Sequence, residues 1–163
     1  MKRDRITAAF LDTTFLLPFF QLDISVEAFD LNAFREFVEK LSEAHASELS
    51  IFEAKTKLLR LSRKDTAYNQ VLENFGSNLA VLREDERFIF HPYTKRDDAH
   101  LNLISTRKLE LDSFDAIIVA QSLDLGLLVT EDREIVSLKE NPAFTADPTL
   151  GKLEIRRWKE LRY

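Results

Sequence analysis

Two short apolar runs constrain this chain most, because each ends on a polar group where a buried strand would end. Residues 6–11 (ITAAFL) run into Asp12, and residues 127–129 (LLV) run into Thr130, Glu131 and Asp132. Short runs without alternation suit strands buried on both faces, the kind found in parallel sheets. Parallel strands need long crossovers, usually helices, so the intervening sequence should supply them.

It does. Asn32 can cap a helix over residues 33–46 (AFREFVEKLSEAHA), where Phe34, Phe37, Val38, Leu41 and Ala44 keep helical spacing. Residues 47–64 (SELSIFEAKTKLLRLSRK) read as a second amphipathic helix, and residues 65–83 as a third, weakened by Gly76. Residues 87–93 (RFIFHPY) predict a strand closed by Pro92. Helices follow over residues 98–108 and 113–123, the latter stopped by Gly126 before the LLV strand. A short helix over residues 135–139, a loop over 141–151 and an edge strand in 152–158 (KLEIRRW) complete the chain. The alternation predicts a three-layer α/β/α domain, residues 1–163, with a mainly parallel central sheet of four to five strands.

Composition excludes several classes of function. The chain has 163 residues, 45% hydrophobic and 31% charged, which suits a globular domain. A net charge of −5 argues against holding nucleic acid by bulk positive charge, though not against a nuclease whose acids bind metal. With no cysteine, thiol nucleophiles and zinc ribbons are ruled out, and three scattered glycines form neither a P-loop nor a dinucleotide fingerprint. The first twenty residues are basic and then apolar, but Asp12 and Pro18 interrupt them, which predicts neither a signal peptide nor a membrane span. The expected location is the cytoplasm.

Acids recur where strands end and helices begin: Asp12, Glu53, Asp115 and Asp132. Each of the last three has a capping explanation. SIFE (residues 50–53) and DSFD (residues 112–115) are capping-box patterns, and Asp132 can cap the short helix after it. Asp12 is harder to explain this way, because a carboxylate directly after a buried strand is costly to desolvate unless paired or bound to a cation. If the four converge, their repulsion raises some of their pKa values, and a divalent cation relieves it. Oxygen ligands without cysteine or clustered histidine select Mg²⁺ or Mn²⁺ over zinc.

Three blocks carry a family resemblance: AAFLDTTFLLPFF (residues 8–20), SELSIFEAKTKLLRL (47–61) and LDSFDAIIVAQSLDLGLLVTEDREI (111–135). In this order the chain resembles the PIN-domain family of metal-dependent ribonucleases, which includes the toxins of VapBC-type toxin–antitoxin pairs. The resemblance implies that Asp12, Glu53, Asp115 and Asp132 form an acidic quartet, with Asp12 and Asp115 as direct ligands of Mg²⁺ or Mn²⁺. It implies supporting hydroxyls at Thr14 and Thr130, and hydrolysis of phosphodiester bonds in single-stranded RNA. An antitoxin partner and a homodimer belong to the same expectation. The region from about residue 63 to 97 is longer than in the compact toxins.

Two other functions compete. One is a PIN-like module that binds RNA or protein without cutting, although such a module has no need to keep like charges together. The other is a phosphoacceptor receiver, which would need a lysine at a later strand end that LLVTED does not offer. On the second helix, Glu53, Lys57, Arg60 and Lys64 share one stripe, which reads either as RNA-backbone contacts or as a solvated face. Phe residues in FLLPFF and AFREF should be mostly core, with any exposed surplus offering a homodimer face or an antitoxin groove. Trp158 is expected to pack, and His45, His91 and His100 are scattered enough to suggest surface or capping roles.

Overall fold

The computed structural model describes residues 6–161; the basic start of the chain, residues 2–5, lies outside them. Five strands form one all-parallel sheet: β1 Ala8–Leu11, β2 Glu43–Ser47, β3 Phe88–His91, β4 Leu127–Val129 and β5 Glu154–Arg156, in the order β3-β2-β1-β4-β5. The period-two geometry of a strand splits β1 between two cores. Ala9 and Leu11 face one cluster and Phe10 faces the other; in β4, Leu127 and Val129 oppose Leu128.

Helices cover both faces. On the Leu11 side lie α1 Thr13–Leu16, α2 Leu31–Lys40, α3 Glu48–Lys64 and α4 Asn69–Glu84, contributing Phe15, Phe34, Leu58 and Phe75 to the core. On the Phe10 side lie α5 Lys95–Thr106, α6 Ser113–Ser122, α7 Arg133–Ser137 and α8 Pro142–Thr145, contributing Ile104, Ile118, Ile135 and Phe144. This is the expected three-layer α/β/α arrangement. Among the described residues no helix is long and apolar enough to cross a membrane.

One central strand departs from the sequence reading. The helix expected over residues 33–46 ends at Lys40, where Leu41 turns to extended backbone. The N–H groups of Ser42 and Glu43 then bond to the Thr7 carbonyl, and Glu43–Ser47 pairs on both sides, with β1 and β3. Ladders to the strands on either side, β1 along residues 43–45 and β3 along residues 44–47, outweigh the modest helix preference of the alanines in EAHAS. The cap also differs: Asp30, not Asn32, accepts from the Ala33 N–H at 2.7 Å. Gly76 does not break α4, which runs unbroken from Asn69 to Glu84. The longer region of residues 63–97 is used for α4 and β3, which widen the sheet and cover it.

The N-terminal phenylalanines are largely consumed by packing. Phe15, Phe20, Phe34 and Phe37 are buried, and Phe15, Phe29, Phe34 and Phe37 surround the Trp158 ring. Trp158 packs as expected, its Nε1–H donating to the Ala28 carbonyl at 3.0 Å. The exposed phenylalanines lie elsewhere, at Phe52 and Phe114.

Candidate metal centre

The order of the strands fixes where a site can form. After β1 the chain turns to β2 on one side, whereas β4 flanks β1 on the other, so a crevice opens at the carboxyl ends of β1 and β4. Register makes the juxtaposition specific. Leu11 pairs with Val129, the Asp12 N–H bonds to the Val129 carbonyl at 3.1 Å, and Asp12 and Thr130 therefore emerge side by side.

Asp12 is buried at 8% exposure. Its Oδ1 accepts from the Thr13 N–H at 2.6 Å, capping α1, and its Oδ2 accepts from the Thr130 hydroxyl at 2.7 Å. Two hydrogen bonds to a carboxylate contribute roughly 1.5–3 kcal/mol each, less than the full cost of burying an ion. Burial accordingly raises the Asp12 pKa despite these bonds, with the charges of Asp132 and Asp112 adding to the rise. Thr130 is fully buried and serves a second partner, since its hydroxyl accepts from the Asp132 N–H at 3.0 Å.

Glu53 comes from α3 across the crevice. That helix starts at Glu48, capped by Ser47, so Glu53 lies in its second turn and the SIFE capping box does not form. Ser50, wholly buried, instead meets the Thr13 hydroxyl at 2.9 Å. Burial raises the Glu53 pKa, a hydrogen bond from Thr13 opposes the rise, and the charges of Asp12 and Asp112 reinforce it.

Asp115 and Asp132 supply the remaining wall. In DSFD the capping is done by Asp112, whose Oδ1 accepts from the Asp115 N–H at 2.9 Å, leaving the Asp115 carboxyl half-buried and turned to the crevice. Burial pushes its pKa up to about 7, helped by the charges of Asp132, Asp112, Asp12 and Glu134. Asp132 does cap α7, through Oδ1 to the Glu134 and Ile135 N–H groups at 2.8 and 3.0 Å. It also lines the same crevice, so capping and a place in the cluster coexist.

The crevice is a cleft of about 1050 Å³ that takes in all four acids. Among the described residues, no three acidic or histidine side chains are drawn together as a ready metal-binding group. Burial is the larger cause of the raised pKa values of Asp12, Glu53 and Asp115, and the charges of neighbouring acids add to each rise. The donor set is all oxygen, which suits a hard divalent cation.

The chain shares its fold with a known structure. A chain in the crystal structure of VapBC2 from Rickettsia felis, bound to a DNA fragment from their promoter, matches with a TM-score of 0.57 at 13% identity. The match covers 93% of this chain and 98% of that one. No family model matches the sequence, and neither does any curated protein sequence. The likeness is one of fold: an all-parallel five-stranded sheet between helical layers.

The cleft brings the expected residues together with others that the sequence did not single out. The Thr130 hydroxyl donates to Asp12, Thr14 lines the cleft, and Thr13 beside it bonds to Ser50 and opposes the rise of the Glu53 pKa. Lys57 and Arg60 line the cleft, Lys64 does not, and Arg133 joins them from α7. Asp112 is more than a cap, since its charge raises three of the four acids. Glu131 ties the end of β4 to the turn that follows β5 by accepting from the Trp158 N–H at 2.7 Å.

The histidines also depart from expectation. His45 is buried in β2, its Nδ1 2.7 Å from His91 Nε2 and its Nε2 2.9 Å from Glu43. They are joined because β2 and β3 are neighbours, a pairing hidden while β2 is read as helix. Burial lowers the His91 pKa, and His45 lowers it further. His100 is held by its Nδ1 at 3.0 Å from the Ala120 carbonyl oxygen.

Proposed function

We propose that the chain is an Mg²⁺- or Mn²⁺-dependent endoribonuclease that hydrolyses phosphodiester bonds of single-stranded RNA. The observation that carries this reading is the shared strain of Asp12, Glu53 and Asp115, whose pKa values are raised within one cleft at a topological switch point. Burying like charges together costs stability, and a cation-dependent reaction gives that cost a use. Asp12 and Asp115 would hold the ion, with Glu53 and Asp132 completing its surroundings directly or through water. When bound, the ion supplies a water of lowered pKa and neutralises charge on the phosphate.

The chain's own residues do the positioning. Thr130 fixes the Asp12 carboxylate from the β4 side, and Thr13 steadies Glu53 from α1. Asp115, half-protonated near neutral pH, must release its proton to bind a cation, so ion affinity rises with pH through about 7. Lys57, Arg60 and Arg133 take part in none of the ion pairs among the described residues, which leaves their charge for an RNA backbone.

The fold shared with a VapBC2 chain supports a place for this protein as the toxin of a toxin–antitoxin pair, acting in the cytoplasm as a homodimer. A small antitoxin-like reading frame directly upstream would strengthen that role, and sedimentation measures the dimer. The nuclease itself is tested by incubating single-stranded RNA with Mg²⁺ or Mn²⁺ and the wild type, Asp12→Asn or Asp115→Asn. Cleavage by the wild type alone, abolished by EDTA, is expected. Equal cleavage by all three, or cleavage surviving EDTA, would rule the reading out.

A further inference from the structure

The cleft carries an apolar feature that ion binding does not use. Phe52 and Phe114 remain 66% and 48% exposed, in a chain whose other large aromatics are mostly buried in the core. Both line the acidic cleft, whereas the other exposed large hydrophobics, such as Val81 and Tyr93, lie outside it. They approach from opposite layers of the fold, Phe52 on α3 and Phe114 on α6. Each immediately precedes an acid of the cluster, Glu53 and Asp115.

We propose that Phe52 and Phe114 are base-stacking residues that hold unpaired nucleotides across the cation site, and so set the enzyme's demand for a single strand. This rests on the nuclease reading and names how its substrate is held. The geometry suits a strand whose phosphate reaches the acids while its bases turn outward to the rings. Stacking needs an exposed aromatic face and tolerates any base, and bases paired in a duplex cannot present theirs. A protein segment is the other candidate occupant; the charged lining is mostly acidic, so it takes a nucleic-acid strand only with a cation on the acids, and Lys57, Arg60 and Arg133 then complement the flanking phosphates as they would not an apolar helix face.

The test measures binding of fluorescein-labelled 12-nucleotide strands by anisotropy, with Ca²⁺ in place of Mg²⁺ to neutralise the acids while slowing cleavage. The strands are an unpaired oligoribonucleotide, its duplex and an abasic backbone of equal charge. Wild type should prefer the unpaired strand, and Phe52→Ala or Phe114→Ala should each weaken its binding roughly tenfold, leaving the abasic strand unaffected. Phe52→Trp and Phe114→Trp should restore binding, and their fluorescence should be quenched by the base-bearing strand only. Unchanged affinity of the Phe52→Ala/Phe114→Ala double variant for the unpaired strand would overturn the proposal while leaving the nuclease reading intact. So would equal losses for the abasic strand, or loss of self-association without loss of strand binding, which would make the rings a protein contact. Aromatic-dependent binding by a wild type that never cuts would instead uphold stacking and sink the nuclease.

Discussion

Asp115 is the residue at which the cost of the site can be measured. Its carboxyl titrates near 7 in the folded chain, against 3.8 as the ordinary value. Below about pH 4 both folded and unfolded chains hold the proton, so the site costs nothing. Between about 4 and 7 the unfolded chain releases a proton that the folded chain keeps, and stability falls as pH rises; above about 7 the loss is complete. In EDTA, Asp115→Asn should therefore be more stable than the wild type at pH 8, by about 1–2 kcal/mol after discounting for solvent screening. At pH 4 that advantage should vanish. Urea unfolding across this range checks it, and a pH-independent difference would mean that Asp115 is not strained. Thr130 behaves oppositely, because it relieves strain. Thr130→Val removes the donor to Asp12 and the acceptor of the Asp132 N–H, and should cost about 1–3 kcal/mol, with Thr130→Ser retaining most of the stability.

Elements were legible in proportion to how local their causes are. The α6–β4 unit was read almost to the residue because Asp112 caps it, its apolar face is continuous and Gly126 stops it at φ +87°. β2 was missed because nothing in EAHAS favours a strand until β1 and β3 are present. The extent of α3 is legible in its amphipathic pattern, but the cap is Ser47 and not the Ser50 of the SIFE pattern, which frees Glu53 from a capping role. Two glycines make the difference between local and imposed backbone measurable. Gly76 sits exposed inside α4 with no atom near an added Cβ, so Gly76→Ala should stabilise by roughly 0.5–1 kcal/mol. Gly126 has as much room but positive φ, so Gly126→Ala should instead destabilise by about 1 kcal/mol. Thermal unfolding of the two variants separates the cases, and shifts of the same sign would contradict the backbone assignment.

At the scale of the whole molecule, the four acids named from the PIN-like resemblance line one cleft; their coupling could not be read in advance, because it depends on strand register and on Asp112. The rings at Phe52 and Phe114 were hidden for a similar reason, since only packing shows which phenylalanines the core leaves out. The chain is acidic overall, at −5, and concentrates carboxylates where the proposed RNA must bind. Without a cation, the cleft repels a polyanion; with one, the same acids attract it through the ion. A crossing of affinities follows. In EDTA at pH 8, where the Asp115 carboxyl is mostly ionised, the Asp12→Asn/Asp115→Asn double variant should bind an unpaired RNA strand more tightly than the wild type, because carboxylate charge is removed from the cleft. With millimolar Mn²⁺ the order should reverse, since only the wild type can recruit the ion. Raising salt should shrink the EDTA difference first, because it is a long-range repulsion screened over about 10 Å at 0.1 M. Anisotropy titrations of the two proteins, with and without Mn²⁺, measure this directly. If the order stays the same in both conditions, the acids do not meet the RNA through a cation.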